Sequence, residues 1–98
     1  MHRVSLRAIA DLDEIWDYVA TESGSHEIAR GLIASVSKRF LLLAEQPYAG
    51  RNRDRDFGPG SRSFPVREYV IVYSVEDRDV LILRVVHGRR DLERLFGL

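Results

Sequence analysis

Between Arg62 and Arg90 the apolar residues fall in two runs, Tyr69–Val75 and Val80–Val86, parted by the polar tip Glu76-Asp77-Arg78-Asp79. A third run, Ser61–Val66, follows the turn Gly58-Pro59-Gly60. β-Branched and aromatic residues dominate these runs, and Gly, Pro or charged residues bound them, which is the signature of strands joined in hairpins. Simple alternation puts Tyr69, Ile71, Tyr73 and Val75 on one face of the first run, and Val70, Val72 and Ser74 on the other. In the second run it groups Leu81, Leu83 and Val85 with His87, opposite Val80, Ile82, Arg84 and Val86. Antiparallel strands with one wet face alternate apolar with polar residues. These barely alternate, so both faces require cover, and a partner that supplies it is expected.

Upstream the period changes. Arg3–Leu6 reads as a short first strand. From about Arg7, Ile9, Leu12, Trp16 and Val19 recur at helical spacing, with Ala8, Ile15 and Ala20 widening the stripe. Asp11, Asp13, Glu14 and Asp17 fall mostly on the opposite side. Ser23-Gly24 stops this helix, because glycine accepts the left-handed cap conformation, and Ser25 serves as N-cap of the next. The second helix carries Ile28, Leu32, Ile33, Val36, Phe40 and Leu43 and ends at Pro47. A short link makes the two an antiparallel α-hairpin, with Trp16 as a core residue. Residues 47–60, with two Pro, three Gly and alternating charge, read as a loop. After the last strand, Asp91 caps a final helical turn ending near Leu95-Phe96. The order is β-α-α-β-β-β: an α+β fold with the helical hairpin packed on an antiparallel sheet.

Ninety-eight residues make one domain, spanning 1–98. The absence of cysteine excludes disulfides, thiolate metal sites and a cysteine nucleophile. No apolar run reaches the roughly 20 residues of a membrane span and no signal-peptide pattern opens the chain, so a cytoplasmic protein without membrane contact is expected. Net charge is zero, which argues against direct nucleic-acid binding through phosphates. The charge is nonetheless uneven: residues 1–30 hold three Arg against six acids, and residues 47–67 hold five Arg against two Asp. Those arginines either pair with Asp54 and Asp56 or meet an acidic partner.

His2, His26 and His87 are scattered, so no metal site is expected, and no phosphate loop or serine elbow is present, so no cofactor is expected either. What remains is a basic group at one sheet end: Arg62, Arg67, Arg84, His87, Arg89 and Arg90. Arg62, Arg84, His87 and Arg89 have the chemistry for metal-free RNA cleavage, with guanidiniums on the phosphate and His87 moving protons. The alternative is structural. His87 then ends a strand and bonds locally, Arg84 lays its stem on the sheet and pairs with an acid, and Arg62 pairs with an acid of the first helix.

Several stretches together resemble one family. Residues 10–20, ADLDEIWDYVA, resemble the first-helix motif of the ParE branch of the ParE/RelE toxin superfamily. Pro47–Arg51 and Pro59–Val66 resemble its loop and second strand, and Tyr69–Tyr73 and Ile82–Asp91 its third and fourth strands. The resemblance covers nearly the whole chain in order. It implies the same β-α-α-β-β-β fold and a toxin of a type II toxin–antitoxin pair of the plasmid-stabilisation kind, encoded beside a small antitoxin that binds it as a hetero-oligomer. It also implies growth arrest through DNA gyrase by protein contact. RelE-type members instead cleave ribosome-bound mRNA, using basic residues and a C-terminal tyrosine. Here Val70 follows Tyr69 where an arginine belongs, and the tail offers Phe96, which cannot move a proton. Arg51, Arg62, Arg67, Tyr69, Tyr73, Arg84, Arg89, Arg90 and Phe96 are the expected contacts to target or antitoxin.

Overall fold

The computed structural model describes residues 1–88 and Asp91. Strand β1 (His2–Val4) leads into α1 (Leu6–Ser23) and α2 (His26–Glu45); β2 (Arg51–Asn52) and the single turn α3 (Asp54–Phe57) follow, then β3 (Ser61–Val66), β4 (Tyr69–Glu76) and β5 (Asp79–His87). The sheet order is β1-β5-β4-β3-β2. The expected helical hairpin lies on this sheet, and two features extend the expectation. The loop after α2 contains β2 and α3, elements too short to show a period. The sheet is also mixed, because β1 runs parallel to β5 while the other pairs are antiparallel. The final helical turn expected near Leu95-Phe96 lies outside the described residues.

Ser5 joins strand to helix. Its N–H donates to Ile82 O at 2.9 Å, its hydroxyl donates to Leu83 O at 2.9 Å, and its Oγ accepts from Ala8 N at 3.0 Å as the N-cap of α1. Gly24, at φ 66°, ends α1 in the left-handed conformation, and Ser25 Oγ caps α2 by accepting from Ile28 N. The β4–β5 hairpin turns through Asp77 and Arg78, both at positive φ, the geometry that matches the twist of two strands joined by a two-residue loop.

The core lies between hairpin and sheet, but both helical stripes are rotated from the simple reading. On α1 the buried residues are Ala8, Asp11 and Ile15, with Leu12 and Val19 packed beside them, whereas Ile9 is exposed. Trp16 is only half-buried and sits against the His26 ring rather than in the main core. On α2 Ala29, Leu32, Val36, Phe40 and Leu43 are buried and Ile28 is exposed. Asp11, expected on the wet side, is therefore a core-facing carboxylate.

The sheet's two faces also differ from strict alternation. Val72 pairs with Arg84 but Tyr73 pairs with Ile82, so Leu83 is an extra residue in β5. This bulge reverses the parity of everything after it. Val80 and Ile82 therefore share the helix-facing core with Val85, together with Tyr69, Ile71 and Tyr73. On the far face Val72, Val86, Ser61 and Ser63 are buried within the single chain, so a partner is not required to cover them.

Candidate functional site

Two constellations of polar side chains flank the sheet. The first is built on the outer edge of β5. Because β1 ends at Val4, the edge of β5 beyond Ile82 has no strand to pair with, and α1 takes its place. Asp11 Oδ2 accepts from Val85 N at 2.9 Å and from Arg84 Nε at 2.8 Å, while Oδ1 accepts from Arg84 Nη2 at 3.1 Å. This is a bidentate pair between a carboxylate 8 % exposed and a guanidinium 24 % exposed. The Asp11 hydrogen bond is the main reason the Arg84 pKa is raised, against the opposing effect of burial. One residue pair further on, Asp91 Oδ2 accepts from His87 N at 3.0 Å.

A cleft of about 440 Å³ opens here, lined among the described residues by Glu14 and Tyr18 of α1 and by Arg84, Val86 and His87 of β5. His87 stands edge-on to the Tyr69 ring, 5.8 Å between centroids, and its Nδ1 is buried with no hydrogen-bond partner among the described residues.

The second constellation ties the loop after α2 to β3 and β4. The Tyr73 hydroxyl is fully buried, donates to Pro47 O at 2.8 Å and accepts from Gly50 N at 2.8 Å. Burial raises the Tyr73 pKa, and the Gly50 hydrogen bond and the Arg62 charge oppose that rise. Gly50 is glycine for want of room: a Cβ there would collide with the Tyr73 hydroxyl and lie 2.7 Å from Ser63 O. Arg62 Nη1 donates to Gly50 O at 2.6 Å, and its guanidinium lies 5.1 Å from the centroid of the Tyr48 ring. Arg62 thus does not pair with an acid of α1, as the sequence suggested; it closes its own loop.

Of the residues suited to RNA cleavage, Arg84 and His87 line one cleft, but Arg62 stands apart from them. Arg62 lies on β3, two strands or about 10 Å of sheet from β5, and Arg84 is committed to Asp11. Arg89, Arg90 and Phe96 lie outside the described residues. Tyr69 and Tyr73 are in the core. Arg51 and Arg67 are exposed, and Arg67 reaches Ser35 Oγ at 3.4 Å. The pairing expected within the basic loop occurs in part: Arg53 meets Asp56 at 3.2 Å, while Asp54 accepts from Gly60 N and Asn52. Among the described residues, no three His, Asp or Glu side chains cluster as a metal would need, and no helix is long and apolar enough to cross a membrane. Sequence reasoning missed Asp11 and Gly50. Pro47-Tyr48-Ala49-Gly50-Arg51 held the only signal for the latter.

A helical hairpin on a mixed sheet closed by a parallel N-terminal strand is the fold of the ParE/RelE toxins. Solved structures agree. The chromosomal ParDE toxin–antitoxin system from P. aeruginosa superposes with a TM-score of 0.74 at 23 % identity, over 88 % of this chain and 92 % of that one. The toxin–antitoxin complex RelBE2 from Mycobacterium tuberculosis gives 0.65 at 24 % identity, over 89 % and 95 %. The model of a family described as the ParE toxin of the type II toxin–antitoxin system parDE matches residues 3–92. The chain is 32 % identical over 87 residues to Toxin ParE3 of Caulobacter vibrioides, covering 89 % of this chain and 85 % of that protein. It is 36 % identical over 89 residues to Toxin ParE1 of the same organism, covering 88 % and 86 %. The chain belongs to the ParE toxin family of type II toxin–antitoxin systems.

Proposed function

We propose that this toxin arrests growth by binding DNA gyrase through protein–protein contact, and that a cognate antitoxin neutralises it in a hetero-oligomer. The observation that carries the reading is the ParE family match across residues 3–92. The geometry supports a contact mechanism over RNA cleavage, because Arg84 is held by Asp11 and stands apart from Arg62. In this reading the described residues available for that contact are the exposed Arg51, Arg67 and Tyr48 and the half-buried Arg62. The solved neighbours belong to toxin–antitoxin systems, which supports an antitoxin partner for this chain as well.

The test is DNA supercoiling by purified gyrase with the toxin, alone and with the small protein encoded beside it. Supercoiling should stop, or cleaved DNA accumulate, with toxin alone and recover with the antitoxin. Unaffected supercoiling together with cleaved ribosome-bound mRNA would overturn the reading in favour of a RelE-like endonuclease.

A further inference from the structure

The surface of the helical hairpin turned away from the sheet divides its charge by helix. On α1, Arg7 stands against Asp11, Asp13, Glu14, Asp17 and Glu22, of which only Asp11 is buried. On α2, Arg30, Lys38 and Arg39 outnumber Glu27 and Glu45. Asp13, Asp17, Arg30 and Lys38 are all exposed, and they enter no ion pair among the described residues.

The same surface carries a glycine with no duty inside the chain. Opposite the core side of α2, Gly31, Ala34, Lys38 and Leu41 recur at three- and four-residue spacing, all exposed. Gly31 is not left-handed, and a Cβ added to it would meet nothing within 4 Å. Glycine weakens a helix interior relative to alanine; what it offers on an open helix face is close approach by another backbone.

The antiparallel hairpin turns at Gly24-Ser25, so residues equally far from that turn lie level. Leu6 and Ile9, 86 % and 45 % exposed, are thus level with the turn of α2 that holds Leu41, which is 61 % exposed. Asp17 is level with the turn that holds Arg30 and Gly31, and Asp13 with the one that holds Lys38.

We propose that this surface binds a second copy of the chain, in a homodimer where α1 of each protomer packs antiparallel on α2 of the other. Charge selects the arrangement. A two-fold axis running along the helices keeps every residue at its own level and sets each acidic helix on a basic one. Asp17 then meets Arg30 of the second copy, Asp13 meets its Lys38, and Leu6 and Ile9 cover its Leu41. An axis across the helices stacks α1 on α1, acid on acid. Helices of 18 and 20 residues, side by side, present on the order of 500 Å² per protomer, or about 1,000 Å² in all. That is the lower limit of specific interfaces, so micromolar association is expected.

The test is analytical ultracentrifugation of the free full chain over roughly 1–300 μM, where the dimer should form and should weaken as salt rises. Gly31→Leu should weaken association at least tenfold, while the unfolding midpoint of the dilute monomer stays constant or rises, because leucine is the better helix former. Asp17→Arg and Arg30→Glu should each weaken it at least fivefold, and the double variant should recover it. A chain that stays monomeric throughout overturns the proposal, as does a dimer indifferent to Gly31→Leu. A monomeric free chain whose antitoxin complex is loosened by Gly31→Leu gives the surface to the antitoxin, and also overturns it.

Discussion

The outer edge of β5 and the corner between β2 and β4 meet the same difficulty with different chemistry. Each is a place where backbone groups have no strand to pair with: at β5 because β1 stops at Val4, at the corner because Pro47 and Gly50 lie in the loop before β2. At β5 the remedy is ionic: one carboxylate holds a guanidinium and a backbone N–H. At the corner it is a neutral phenol that donates to one carbonyl and accepts from one N–H, with a glycine making room for it. A buried ion pair contributes little over a well-packed apolar substitute but is costly to break from one side. A neutral hydrogen bond is cheaper to lose, and its geometry is enforced by packing. The ionic edge should therefore be the more sensitive to single truncations.

Asp11→Ala is the hardest test of that ranking. It strands Arg84 and the Val85 N–H, and urea unfolding should show a loss of about 3 kcal/mol. Asp11→Asn, which keeps an acceptor for Val85 N, should lose less. A loss below about 1 kcal/mol for Asp11→Ala would place the pair among weak surface bridges instead. Next comes Gly50→Ala, which drives a methyl against Tyr73 and the Ser63 carbonyl; about 2 kcal/mol is expected in the same assay. Tyr73→Phe keeps the ring but leaves Gly50 N–H and Pro47 O unanswered, for a loss of about 1–2 kcal/mol. It should also change the alkaline limb of stability. A phenol whose pKa is raised on folding stays protonated in the native chain while the unfolded chain ionises. Stability should thus be full below about pH 10 and fall as pH rises through the folded pKa, a fall that Tyr73→Phe reduces. Arg62→Ala, which removes a partly exposed cation from Tyr48 and one bond to Gly50 O, should cost about 1 kcal/mol and complete the order.

The sequence reading found what periodicity can reveal. The three strands from Ser61 to His87 and both helices stand where apolar spacing, Gly24 and Ser25 put them. It failed where one residue outweighs the pattern. Asp11 reads as a wet position because it is acidic, yet its burial is repaid by three hydrogen bonds to residues more than 70 positions away, which no local window contains. Leu83 is apolar in either parity, so the bulge that turns Val85 toward the helices leaves no mark in composition. For Arg62 charge alone offers an acid of the first helix as one partner; its actual partners are a carbonyl and an aromatic ring a dozen or so residues upstream. The family motifs around Gly50 and Arg84 were visible, but their purpose is geometric and appears only once the sheet is assembled.

The parallel pairing of β1 with β5 has a consequence for synthesis. Ser5 reaches Leu83 across 78 positions and Asp11 reaches Arg84 across 73. At about 5–20 residues per second, the helical hairpin emerges seconds before the strand it must lie on. For that interval α1 and α2 present Leu32, Val36, Phe40 and Leu43 with no floor beneath them. A nascent toxin is thus incomplete until almost its last strand is made, and a partner present at the ribosome meets it before it has finished folding.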